Sequence, residues 1–129
     1  MRRSLLVIVA VMASACQIGE ATPVPPALVA IPTSAPLGEG DACMQALLTG
    51  RLVADDEAGL AVEAPDAGGE RIVVVWPHGW VAGDHEGMRI LLNDRGDEIA
   101  RVGDHVEIGG GGGPDGRWYT CGEVTLAVP

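Results

Sequence analysis

The chain has 129 residues and carries 18 acidic side chains against eight basic ones, a formal net charge of −10. That length admits one domain, and that charge excludes partners with a phosphate backbone or an anionic lipid surface, both of which it would repel. All eight basic residues are arginine, Phe is absent, and three Trp and one Tyr are the only aromatic residues. Any core must therefore rest on aliphatic side chains and tryptophan.

Residues 1–15 read as a signal peptide. Arg2 and Arg3 form a positive start, Leu5 to Val11 form an unbroken apolar run, and Ala13, Ser14 and Ala15 supply small residues before Cys16. The run is too short for a permanent membrane span. Its ending resembles the bacterial lipoprotein signal, which implies that Cys16 becomes the lipid-bearing N-terminus, with diacylglycerol and palmitate as the anchor. Ala13 stands where that signal prefers Leu. The same Ala-Ser-Ala also fits an ordinary secretory cleavage site, which would leave Cys16 as an odd thiol in a secreted protein, an unfavourable arrangement. Loss of Arg2 and Arg3 with the signal takes the side-chain charge to 6 − 18 = −12.

Residues 16–40 read as a lipidated Cys16 followed by a spacer containing Pro23, Pro25, Pro26, Pro32 and Pro36 and no aromatic residue. Such a composition predicts a stiff, extended segment without a core, reaching at most roughly 70 Å. A spacer of this kind has a purpose only if Cys16 is tethered, which supports the lipid reading independently of the signal.

Residues 41–129 read as the folded domain. Gln45 to Ala54 is a first strand, apolar on both parities, with Gly50 as a bulge or barrel bend. Asp55 to Gly59 is an acidic turn, Leu60 to Ala64 an alternating strand, and Pro65 to Glu70 a turn. Arg71 to Trp76 is the central buried strand: Ile72, Val73, Val74 and Val75 are β-branched, which suits a pleat and disfavours a helix. Trp76 is pushed to extended geometry by Pro77, which also ends the pairing. Val81 to Gly87 reads as an exposed loop. Met88 to Leu92 and Glu98 to Val102 are two strands joined by the Asn93-Asp94-Arg95-Gly96 turn. His105 to Ile108 is a short strand, Gly109 to Gly116 a mobile loop, and Trp118 to Val128 a last strand, bulged at Gly122. Many short strands without helical periodicity predict an all-β fold, a small antiparallel barrel of OB-like or SH3-like type.

Cys43 and Cys121 are the cysteines that remain once Cys16 is assigned to the anchor. They lie near the two ends of the domain, and an extracytoplasmic location permits their pairing. A redox or metal pair would call for a Cys-x-x-Cys spacing, which is missing. One disulfide closing the barrel is the expectation.

The segment VVVWPHGW, followed by RILLNDRGDEIARVGDHVEIGGG, resembles a family of small bacterial secreted or lipid-anchored β-domain proteins. Its pattern is a Trp-Pro-any-Gly turn, a hairpin, an Ala-Arg-Val-Gly-Asp step and a glycine run. The resemblance covers about half of the domain and implies no catalytic residue. The ARVGDHVEIGG step also resembles the turn-strand unit of oligonucleotide/oligosaccharide-binding barrels.

No catalytic constellation stands out. His78, His85 and His105 with Asp84, Glu86 or Asp104 offer zinc-binding residue types, but they fall in loops or at a strand start without a paired spacing, so they read as surface histidines. The glycine run is followed by no Lys, Ser or Thr and opens no helix, so it is not a phosphate loop. The run from Asn93 to Glu98 lacks the spacing and distal Glu of a calcium loop. Trp76 and Tyr119 read as packing residues. Trp80 and Trp118 are the candidate ligand-binding residues, as a stacking platform for a sugar or peptide. That requires the loop 77–87 and the loop 109–118 to share one end of the barrel. The expected function is a non-catalytic binding or envelope-structural module without cofactor or metal, held to the membrane through its lipid and not binding nucleic acid. A small metal-dependent hydrolase using loop His and Asp residues is the alternative.

Overall fold

The computed structural model describes Gly19 and residues 22–128. Cys16 and the expected signal peptide lie outside the described residues. The described chain is all-β, with nine strands and one short 3-10 turn at Pro65–Ala67. The strands are β1 (Ala27–Val29), β2 (Ala46–Asp55), β3 (Gly59–Ala64), β4 (Glu70–Val75), β5 (Val81–His85), β6 (Met88–Leu92), β7 (Glu98–Arg101), β8 (His105–Gly112) and β9 (Trp118–Leu126).

Five of them close a barrel in the order β2-β3-β4-β9-β8, with β8 returning to pair with β2. Every pairing in this ring is antiparallel except β4 with β9, where Val74 lies beside Trp118 and Val75 beside Tyr119. The other four strands form a sheet in the order β1-β5-β6-β7, inserted between β4 and β8 and edged by the N-terminal strand.

Period-two alternation explains the interior. Along β2, residues 48, 50 and 52 are buried while 47, 49 and 51 are exposed. Leu48, Leu52, Leu60, Val62, Val74, Val106 and Ile108 fill the core with Trp76, and Ala82, Leu91 and Ala100 of the inserted sheet join the same cluster. Gly50 is needed where β2 bends: a Cβ there would lie 2.5 Å from the Glu63 carbonyl oxygen and 2.6 Å from Val62 Cγ1.

Three stretches depart from the sequence expectation. The glycine run is not a mobile loop. Gly109 to Gly112 belong to β8 and pair with β2 and β9. Gly110 adopts φ 153° and lies against the Tyr119 carbonyl, and Gly111 lies beneath the Met44 side chain, so these glycines serve close approach rather than flexibility. The connecting loop shrinks to Gly113–Arg117, closed by the Gly113 amide donating to the Arg117 carbonyl at 2.8 Å. The expected bulge is found: β9 carries extra residues between Thr120 and Val124, around Gly122 at φ 101°.

Val81 to His85, expected as a loop, forms β5 between β1 and β6. Its small residues hid the pattern. Ala82 and Gly83 are buried, and a Cβ on Gly83 would lie 3.0 Å from Pro26 Cβ.

Part of the expected spacer is structural. Pro26 to Ser34 runs across the domain as a strap, pairing β1 with β5 and lodging Val29 and Ile31 against the core. The Trp76 amide donates to the Pro32 carbonyl at 2.8 Å and the Ser34 amide to the Trp76 carbonyl at 2.9 Å. Prolines at 26 and 32 flank this pairing without interrupting it, as edge positions allow. Gly59, at φ 79°, accommodates the strap: a Cβ there would lie 2.9 Å from Ile31 Cγ2.

Candidate functional site

Cys43 and Cys121 form a disulfide, with Cα atoms 5.8 Å apart. It ties the segment just before β2 to the bulged part of β9. Trp80 stacks on Trp76, with ring centroids 6.4 Å apart and planes 9° from parallel. Trp118 sits in β9 opposite Gly112, and both Trp80 and Trp118 are partly buried against the core. The two expected platform rings therefore serve mainly as packing, which follows from a core without Phe. The indole nitrogens of Trp76 and Trp118 are buried and have no hydrogen-bond partner among the described residues. His78, His85 and His105 are spread over the Pro77 turn, the end of β5 and the start of β8. Among the described residues no group of three or more His, Cys, Asp and Glu is placed to hold a metal ion. No helix among them is long and apolar enough to cross a membrane.

A different place gathers polar groups. The β2–β3 loop, the outer face of β4 and the β8–β9 loop border a cleft of about 370 Å³. Asp55, Asp56, Glu57 and Ala58 form one lip, Arg71 and Val73 the wall, and Arg117 the opposite lip, with Pro32 of the strap at the margin. Its size lies within the range of small-ligand sites.

The acidic lip is shaped by Asp55. Its carboxylate accepts the amides of Glu57 at 3.0 Å and Ala58 at 2.8 Å. Those backbone donors, aided by the charge of Arg71, hold its carboxyl below the ordinary 3.8. The sign follows directly: the ionised form is favoured by folding, so its contribution is present above the ordinary value and disappears as pH falls through the lower folded one. On acidification from pH 5 the Glu57 and Ala58 amide proton resonances should therefore move together, with a shared midpoint below 3.8. A midpoint near pH 5 would contradict this.

The opposite lip is fixed by Asp115. Tyr119 donates its hydroxyl to Asp115 Oδ2 at 2.6 Å, and the Arg117 amide donates to Asp115 Oδ1 at 3.2 Å. The Tyr119 bond lowers the Asp115 carboxyl and raises the phenol. This pins the loop that carries Arg117.

The arginines separate into two groups. Arg51 holds Glu63 at 3.1 Å, Arg89 holds Asp84 at 2.9 Å, Arg95 holds Asp97 at 3.4 Å and Arg101 holds Glu98 at 2.6 Å. Arg117 reaches Asp115 only at 4.0 Å, and Arg71 makes no ion pair among the described residues. Arg71, without an ion pair among the described residues, and Arg117, with only this long one, both line the cleft. Asp56 and Glu57, across from them, likewise make no side-chain hydrogen bond or ion pair among the described residues.

A second groove, of about 530 Å³, is lined by Ala54, Met88 and Val102 with Asp84 and Arg89, and shares Asp56 with the first. Its central pair is satisfied internally: Arg89 donates twice to Asp84, at 2.9 and 3.1 Å, and once to the Gly59 carbonyl at 3.0 Å. It offers a ligand less charge to recognise than the first.

The sequence reading missed Arg71 and Arg117. It marked Asp55 to Gly59 as an acidic turn, but nothing local links that turn to residues 71 and 117. The link is the parallel β4–β9 pair, which is set by topology.

The fold and cleft together define a small disulfide-tied β-barrel with a cleft that carries charges of both signs. Compared with protein-family models, with curated proteins and with solved structures, the chain finds no match.

Proposed function

We propose that this protein is an extracytoplasmic, membrane-anchored lipoprotein that presents a small non-catalytic barrel of OB type, with the charged cleft as its ligand site. The OB-type reading is supported by the strand order: counted within the barrel it runs 1-2-3-5-4, the fourth strand closes on the first, and the third lies parallel to the fifth. A simple antiparallel meander contains no such parallel pair. In OB barrels the ligand face is made by the second and third strands with the loops 1–2 and 4–5. The matching parts here are β3, β4, the Asp55–Ala58 loop and the Arg117 loop, and all except β3 border the cleft.

The single observation that carries the binding reading is the placement on that one cleft of Arg71, unpaired among the described residues, and of Arg117, paired only at 4.0 Å, together with the carboxylates of Asp56 and Glu57. Nucleic acid is disfavoured as the ligand, because an acidic surface repels a phosphate backbone. The anchor reading is supported by the residues before Cys16; the strap gives part of the spacer a structural role and shortens what remains. With Pro26 pinned against β5, only about ten residues separate it from Cys16, which reach about 30 Å when extended. The domain is thereby held near the membrane rather than far from it.

Cys16→Ser should release the protein from the membrane fraction, since stable attachment needs more than one acyl chain and all of them depend on this residue. Cell fractionation reads the result. Mass spectrometry of the wild-type N-terminal peptide checks it independently: an unmodified Cys16 would overturn the anchor.

A further inference from the structure

We infer that the cleft between the Asp55–Glu57 lip and Arg117 takes a short peptide with both termini free, its carboxylate held by Arg71 and Arg117 and its ammonium by Asp56 and Glu57. The inference rests on the reading of this cleft as the ligand site and goes further by assigning the ligand chemistry.

The charge layout carries it. A site for a simple anion would need only the arginines, and a site for a simple cation only the acidic lip. Here both signs line one cavity of about 370 Å³, and Arg71, Asp56 and Glu57 make no ion pair or side-chain hydrogen bond among the described residues, while Arg117 reaches Asp115 only at 4.0 Å. Among the described residues the other four arginines each hold a carboxylate at 3.4 Å or closer, whereas the two at the cleft hold none at that distance. Two guanidinium groups suit a carboxylate, which they can grip in bidentate fashion. A carboxylate pair suits an ammonium, which brings three donors. Val73 in the wall, Ala58 on the lip and Pro32 at the margin add apolar surface, which suits the small side chains of a peptide two or three residues long.

Both lips are set before a ligand arrives. Asp55 fixes the acidic turn through two amides, and Asp115 fixes the Arg117 loop through Tyr119. Such prior ordering lowers the cost of binding. No aromatic side chain lines the cavity, so ring stacking on a sugar, the usual apolar contribution to carbohydrate binding, is not provided there.

The test is an NMR titration of the full chain in detergent micelles, following the backbone amides of Glu57, Ala58, Val73 and Arg117. Four probes are compared: trialanine with free ends, N-acetyl-trialanine, trialanine amide and chitotriose. Trialanine should shift all four amides, and capping either end should weaken it about tenfold or more, as expected for a lost hydrogen bond to a charged group. In the R71Q/R117Q variant, trialanine and its amide should bind alike, while sensitivity to the N-acetyl cap persists. D56N/E57Q should show the reverse. Equal binding of free and capped peptides overturns the peptide assignment. If chitotriose alone moves the four amides, the cleft remains a ligand site and the peptide assignment fails. If no probe moves them, both readings fail.

Discussion

Trp76→Ala should cost the domain about 3–5 kcal/mol, the range for truncating a buried tryptophan. Trp76 is the largest fully buried side chain, at 0% exposure, in a protein that has no Phe to share the load. Its ring packs in the cluster shared by the barrel and the inserted sheet and stacks on Trp80 at 6.4 Å, so removal opens a cavity at the junction of the two. Aromatic pairs add about 0.5–1.5 kcal/mol beyond the burial itself. The backbone of Trp76 also holds the strap, through Pro32 and Ser34, and collapse around the cavity would disturb that pairing. Native stabilities lie at about 5–15 kcal/mol, so the variant should be close to unfolding at 37 °C. Urea denaturation followed by far-UV circular dichroism measures it without depending on the mutated fluorophore. Trp76→Phe should lose clearly less than Trp76→Ala. A loss under about 1 kcal/mol for the alanine variant would mean that the site collapses without a cavity, contrary to its placement.

The strands that the sequence made legible are those whose side chains state their own burial. Met88 to Leu92 is a strand at the expected bounds, and the β-branched run 72–75 lies within β4. The strands it hid are those built from small residues. Val81 to His85 contains Ala82 and Gly83, which are buried because neighbours approach closely and not because they are large. Gly109 to Gly112 carries no side-chain pattern at all, and its strand is imposed from outside by Leu47 and Ala46 on one flank and by Trp118, Tyr119 and Thr120 on the other. The strap was hidden for a related reason. A three-residue strand between prolines resembles a linker until Ile31 and Val29 are seen to meet Gly59.

The disulfide pairing was legible from the residue count and the domain limits, whereas the cleft was not. Asp55 and Arg71 are 16 positions apart, and Arg71 and Arg117 a further 46, so their meeting depends on register that no local pattern carries. Trp80 and Trp118 drew attention as rare residues. In a chain so poor in aromatic rings, rarity reflects how much packing each ring must supply, and both rings lie against the core.

Cys43→Ser with Cys121→Ser should weaken the fold by about 2–5 kcal/mol and leave a large unfolded fraction at 37 °C. The pair closes a sequence separation of 78 residues, for which the chain-entropy model gives about 4.5 kcal/mol. The bond encloses nearly the whole barrel, from the entry to β2 through to β9, so its loss frees the unfolded chain over almost the entire domain. The native ring has its own closure through β2 and β8, with Ala46 to Arg51 paired against His105 to Gly110. The fold is therefore expected to persist at low temperature with its topology intact, because the disulfide acts chiefly on the unfolded state. Two measurements separate these effects. Thermal unfolding with and without reductant should show a lower midpoint for reduced wild type that coincides with the double serine variant. Amide exchange at 10 °C should show protection retained in β2, β3 and β8 of that variant. Equal midpoints for oxidised and reduced protein would show that the bond adds nothing to stability. Loss of protection throughout the barrel at 10 °C would show instead that the strand pairings cannot hold the ring without it.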